Sequence, residues 1–266
     1  MFQIASAVEH ATQPAESHTG LSVVPLHLNV NMSGHNLHID TLVSTWFVMA
    51  LVIICALILT KTLKMKPDKK QVIGEFLIEF IEGILGGQIS RRDEVLKLIP
   101  YIGTIFVFIL FSNWFGLIPW KLLHLAKVPV ELGSPTNDLN TTVGLALISL
   151  ISYFYYGIKK KGFGYFKHYL QPYPFFLPLN IMEDFTRPLS LAFRLFGNII
   201  GGEIVIAVLL LLVPWFVPLP MFFFEVFVGF IQAFIFAILT TSYIAAAIAE
   251  HHNQKDEKLK YQTENI

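Results

Sequence analysis

Charge is what this sequence has least of. Of 266 residues only 14% are Asp, Glu, Lys or Arg, while 54% are hydrophobic and 14% aromatic. Soluble domains carry about 25% charged residues. The deficit excludes an ordinary water-soluble globule and points to one hydrophobic membrane domain. The 19 basic and 19 acidic residues cancel, so no net field argues for nucleic acid as a partner. Cysteine is nearly absent. Cys55 stands alone in an apolar run, which excludes an internal disulfide and a Cys-based metal cluster.

Other absences narrow the chemistry. The chain has no phosphate-binding glycine loop, no HExxH helix and no nucleophile constellation, so it is not expected to be catalytic alone or to hold a cofactor. A basic n-region with a cleavage site is missing, so the first apolar span is expected to be retained. Residues 1–40 hold no Lys or Arg but five histidines, His10, His18, His27, His35 and His38. Their spacing matches no standard metal motif, so no metal is expected. Pro14, Gly20, Pro25 and Gly34 interrupt this outer tail, which is expected to be mostly irregular.

What is present is a series of long apolar runs. Residues 41–60 are uncharged and long enough to span a bilayer. Lys61, Lys64, Lys66, Lys69 and Lys70 follow at once. The contrast with the tail places the N-terminus outside and these lysines inside. In residues 71–90, apolar positions 73, 76, 77, 80, 81 and 84 share one face and Glu75, Glu79 and Glu82 the other. This predicts an amphipathic helix along the inner interface, ended by Gly86-Gly87.

Residues 98–119 form a second span ending at Trp120, and 139–158 a third returning to Lys159-Lys160-Lys161. Asn180-x-x-Glu183 resembles a capping box and predicts a helix start, running to about Val213 with a kink at Pro188. A last helix is predicted over 221–250, before a polar inner tail 251–266. Of the Lys and Arg residues, eight lie in 61–98, five in 159–187 and three in the tail, all inside; two lie outside, and the nineteenth is Arg194. The expected fold is therefore an all-α polytopic membrane protein with about five crossing helices, N-terminus out and C-terminus in. Residues 180–213 would reach about 50 Å and 221–250 about 44 Å, against a hydrocarbon core of about 30 Å. The last two helices should thus form a steeply tilted hairpin.

Arg194 lies in the middle of such a run. A guanidinium does not lose its proton, and a charge at bilayer depth costs a few kcal/mol or more. It needs an anionic partner or a water-filled path. At about 100° per residue, Glu183, Arg187, Arg194 and Asn198 fall within about 60° of one another, with Glu203 about 180° from Arg194. Glu225 and Gln232 share a face of the last helix. Glu203 and Glu225 both lie toward the outer end of the hairpin, where they could line one cavity. Gln232 lies deeper, toward the level of Arg194 and Asn198. Each has a bland alternative: an ion pair or amide as assembly glue, or a carboxylate at the headgroups.

The run Arg194-Leu195-Phe196-Gly197-Asn198 with Gly202-Glu203 resembles the signature of subunit a of the rotary ATP synthases. Residues 180–190, Gly229 to Phe236, Asn113-Trp114-Phe115-Gly116-Leu117-Ile118-Pro119 and Ser134-Pro135-Thr136-Asn137-Asp138-Leu139-Asn140 also match. The resemblance covers roughly residues 40–250, and the wording around Glu183 and Arg187 is closest to cyanobacterial and chloroplast versions. It implies a proton-translocating stator subunit working with a ring of c subunits, peripheral-stalk b subunits and the rest of the synthase. It also implies an essential charge at Arg194, an ion pathway through Asn198, Glu203, Glu225 and Gln232, and an outer access bordered by Asp138 and Asn140, which otherwise read as helix caps. The membrane implied is the bacterial plasma (inner) membrane, with the thylakoid membrane as the alternative. A competing reading is a stand-alone secondary cation transporter, although no internal repeat is visible. A third is a structural subunit whose polar residues only fix packing.

Overall fold

A computed structural model describes residues 29–32, 35–60, 69–117, 133–162, 175, 177–212 and 216–263. The lysines 61–66, Trp120 with Lys121 and Lys127, the connection 163–174 and the turn at Pro214 lie outside the described residues. Two short strands, β1 (Asn29–Met32) and β2 (His35–His38), pair antiparallel with Val30 opposite Leu37. The outer tail thus holds a hairpin where irregular chain was expected.

Among the described residues six α-helices follow: α1 (Ile39–Thr60), α2 (Lys69–Gly86), α3 (Arg92–Gly116), α4 (Leu139–Lys161), α5 (Leu177–Leu212) and α6 (Pro218–Thr263), with a 3-10 turn at Pro135–Asn137 before α4. All but α2 are long and apolar enough to cross a membrane, giving the five expected spans. The α2 helix ends at Gly86, as its paired glycines predict. Two boundaries differ from the sequence reading. The α5 helix begins at Leu177, so Asn180 lies inside it and does not cap it. Pro178 is the reason this is tolerated, since a helix's first turn has no use for the missing N–H. The α6 helix continues past 250 to Thr263, because residues 251–263 lack Gly and Pro and are rich in Lys, Glu and Gln.

The core is one layer of interdigitated side chains between α2, α3, α4, α5 and α6. Ile81, Leu98, Ile102, Phe106, Leu191, Leu195, Phe236 and Ile244 are almost fully enclosed. Ala146, Ala192, Ala233 and Ala237 are buried among them; small side chains let helix axes approach where lipid gives no hydrophobic drive to pack. Phe80 of α2 lies 5.5 Å from Phe106 and 5.7 Å from Phe234, seating the amphipathic helix on α3 and α6. In contrast, Trp46, Phe47, Ile53, Leu57, Phe193 and Phe223 are exposed, as side chains that face acyl chains can be. The α5 and α6 spans hold 36 and 31 residues, about 54 and 46 Å of helix. Each exceeds the hydrocarbon thickness, which obliges both to lean or to run along the interface.

Polar groups stitch the bundle where apolar packing is indifferent to register. Asn113, 3% exposed, donates from Nδ2 to the carbonyl of Gly229 on α6 at 3.1 Å. Its Oδ1 accepts from Thr136 Oγ1 at 3.0 Å. Ser134 donates to the Ser112 carbonyl at 2.9 Å, and Trp114 Nε1 to the Val226 carbonyl at 3.0 Å. The 3-10 turn is thereby fixed to α3, and α3 to α6. Gly116 is required here: a Cβ would lie 2.6 Å from the Ser134 Cβ, whereas one on Gly144 would meet nothing within 4 Å. Gly116→Ala should therefore lower the temperature at which the assembled protein loses its compact form in detergent, by several degrees, while Gly144→Ala should leave it unchanged; thermal-shift measurement of the pair checks this.

Candidate functional site

The ionisable residues of α5 fall into three groups, one on each margin of the helix and one toward its start. The buried stripe of α5 comprises Asp184, Pro188, Leu191, Ala192, Leu195, Ile199, Gly202 and Ile206. At about 100° per residue, Arg194 lies roughly 100° to one side of that stripe and Glu203 roughly 80° to the other. The same helix therefore presents its cation and its carboxylate to different sides.

On the Glu203 side, Glu225 of α6 is 7% exposed, and its carboxylate packs against the backbone of Gly202. Any side chain at 202 would occupy the carboxylate's place. Glu203, half-buried, is a charge neighbour of Glu225. Asn137 Nδ2, from the 3-10 turn, donates to Glu203 Oε2 at 2.7 Å. Sequence reasoning had joined Glu203 and Glu225, and the fold brings them together. It had not selected Asn137 as a site residue, although the residue stands inside the Pro135-Thr136-Asn137-Asp138 run. Its contact depends on where the turn docks, which no local spacing reveals. Asp138 caps α4 by accepting from the Asn140 backbone N–H at 2.9 Å, and Asn140 itself is exposed.

On the other margin, Arg194 is exposed, and among the described residues no carboxylate lies within ion-pair distance of it. Asn198, one turn on, is half-buried, and its Nδ2 is buried without a hydrogen-bond acceptor. Gln232 is 6% exposed on α6. Gly197 and Gly201 are exposed, and a Cβ on either would meet nothing within 4 Å of the chain itself.

The third group lies toward the start of α5. Arg187 donates to Glu183 Oε1 at 2.6 Å and pairs with Asp184 Oδ1 at 3.4 Å. Its guanidinium sits over the rings of Tyr153 at 5.7 Å and Tyr243 at 5.4 Å. Tyr153 O–H donates to Asp184 at 3.3 Å. Two arginines on one helical stripe are thus treated oppositely: Arg187 is neutralised and stacked, and Arg194 is left open. Among the described residues no three His, Cys, Asp or Glu side chains are gathered as a metal ion would need.

Five apolar spans, an arginine with no carboxylate partner among the described residues and a separate pair of carboxylates describe a polytopic membrane protein with ionisable groups on its spanning helices. Residues 42–245 match the family described as ATP synthase A chain, and the chain belongs to that family. It is 48% identical over 227 residues to the chloroplastic ATP synthase subunit a of Stigeoclonium helveticum, covering 85% of this chain and 91% of that protein. The corresponding protein of Oedogonium cardiacum is 48% identical over 227 residues (85% and 89%), and that of Bigelowiella natans 47% over 229 residues (85% and 92%).

The geometry on the carboxylate side is open to a direct check. With Cys55 replaced by Ser, N137C paired with E203C should be joined by a short bifunctional methanethiosulfonate in membranes, whereas N137C paired with R194C should not. Mass spectrometry of the digested subunit reads the link.

Proposed function

We propose that this chain is the ion-conducting stator of its ATP synthase. It passes protons through two offset half-channels to and from a rotating ring of c subunits, and peripheral-stalk b subunits hold it against rotation. The observation that carries the reading is the separation on α5. Arg194 is exposed with no carboxylate partner among the described residues, on the margin opposite Glu203, while Glu225 packs over the buried stripe between them at Gly202. A permanent cation at bilayer depth needs a counter-charge, and a carboxylate on a neighbouring ring would supply one.

In this mechanism a proton enters from the outer side past Asp138 and Asn140, beside the Asn137–Glu203 contact, and reaches Glu203 and Glu225. It neutralises a ring carboxylate, which can then turn toward lipid at low desolvation cost. When a carboxylate later meets Arg194, Coulomb attraction favours its charged form, and the proton leaves toward the inner side. Asn198 and Gln232 supply amide groups near this exchange. Arg194 also bars direct leakage, since a fixed positive charge repels a cation moving straight between the two paths. The driving force is about 2.3 kcal/mol per charge per 100 mV, so several protons must pass for each ATP made.

The exposed Gly197 and Gly201 support close approach of a partner. Among the described residues nothing would meet a Cβ at either position, so that face is open to an outside surface. The chemistry on ATP belongs to other subunits. Residues 41–250 act as the membrane domain, with 1–40 outside and 251–266 inside. Basic residues at the inner ends of the spans support that sidedness. The chloroplastic relatives support the thylakoid membrane, second of the two membranes expected from sequence; sidedness is the same in the bacterial plasma membrane. Nothing in the fold or the family match supports a stand-alone cation transporter.

Two measurements test this. Arg194→Ala should abolish ATP-driven proton uptake by membrane vesicles, a fall of about 100-fold or more given the several kcal/mol at stake, while the whole complex still assembles. Survival of near-normal uptake would return Arg194 to an assembly role. Gly201→Leu should leave the subunit's own folding intact but block coupled uptake, whereas Gly144→Leu should not; equal activity in both would remove the ring from that face.

A further inference from the structure

At the end of the bundle where α3 begins and α4 ends, a cavity of about 250 Å³ opens between these helices and α6. Lys97, Lys159, Lys160 and Glu94 line its polar part. The one carboxylate is already taken: Lys160 Nζ donates to Glu94 Oε1 at 2.8 Å, and Arg91 Nη1 stands 3.6 Å from the same oxygen. Lys159 leans on Tyr155, 5.3 Å from its ring centre and 3.4 Å from its hydroxyl. Among the described residues neither Lys97 nor Lys159 has a carboxylate within 4.0 Å. Two ammonium groups with no carboxylate partner among the described residues therefore border one cavity.

Its remaining walls are Leu98, Tyr156 and Ile248, apolar surface that a free inorganic anion would leave unused. Depth completes the case. In the sequence the apolar run of the last helix gives way to Glu250-His251-His252 just past Ile248, that of α4 ends at Lys159-Lys160-Lys161, and α3 opens on Arg92-Asp93-Glu94. The cavity thus lies where hydrocarbon meets the charged layer. We propose that it binds the phosphate headgroup of an acidic phospholipid, with Lys97 and Lys159 holding the phosphate and Leu98, Tyr156 and Ile248 receiving the glycerol end of the chains. Basic pockets between membrane helices suit such headgroups. The site uses none of Arg194, Glu203 or Glu225, so it stands or falls apart from the proton path.

The test takes the assembled complex in nanodiscs of phosphatidylcholine with a minor fraction of phosphatidylglycerol. Native mass spectrometry then counts the phosphatidylglycerol retained. K97Q with K159Q should lower retention by about five-fold per lysine, the effect of one basic residue near an anionic surface, and K97R with K159R should restore it. Unchanged retention in the glutamine variant would overturn the proposal. So would displacement of the lipid by millimolar inorganic phosphate, which would mark a simple anion site. If the glutamine variant does not assemble, a benzoylphenylalanine at position 156 of the otherwise unaltered complex decides. It should label phosphatidylglycerol well above its share of the lipid, and labelling in proportion to composition would refute the site.

Discussion

A bilayer offers a buried polar group nothing to bond with, and the half of this protein that holds the 3-10 turn is arranged around meeting that constraint at Asn113. One amide satisfies the Gly229 carbonyl on α6 and the Thr136 hydroxyl on the 3-10 turn. That turn carries Asn137 to Glu203 on α5. Three helices and a loop are thereby held in one register by groups that have no alternative partners in lipid. Apolar packing alone would not fix this arrangement, because leucines and isoleucines tolerate sliding. The carboxylates of Glu203 and Glu225 take their places from it.

The two arginines of α5 show how selectively the chain neutralises charge. Arg187 has two carboxylates and two aromatic rings around it, and needs nothing further. Arg194 lies seven residues on, close to the same helical stripe, and among the described residues receives no carboxylate. Since the chain supplies counter-charges freely two turns away, the open guanidinium is a property of the site and not a shortage of acidic residues. The same holds for small residues. Gly116 and Gly202 are small because this chain's own atoms crowd them, while Gly197 and Gly201 face open space.

The spans and their number were legible in the sequence because hydropathy and length depend on the solvent and not on tertiary detail. Arg194 was legible because a charge inside an apolar run is costly wherever the helix ends up. The proximity of Glu203 and Glu225 followed from their placement at the joined ends of two consecutive helices. Asn137 was not legible, since its contact with Glu203 exists only after the turn has docked on α3. The start of α5 was misread because Asn180 and Glu183 have capping-box spacing, while Pro178 lets the helix start three residues before Asn180 and Glu183 turns to Arg187 instead. The hairpin Asn29–Met32 with His35–His38 was passed over because its strands are four residues each, near the lower limit at which alternation can be seen.

An unneutralised guanidinium within a membrane span makes the isolated chain thermodynamically unfinished. If a partner's anion is what Arg194 awaits, as proposed, the helix carries until then a cost of a few kcal/mol, a large fraction of the margin by which most folded domains persist. Biogenesis inherits this penalty. Newly made copies that outnumber their partners would hold that helix loosely and present a segment suited to extraction and proteolysis, whereas copies that meet a partner would be retained. The residue proposed to work the ion path would then also govern the stoichiometry of the membrane sector, through the lifetime of its unassembled subunits.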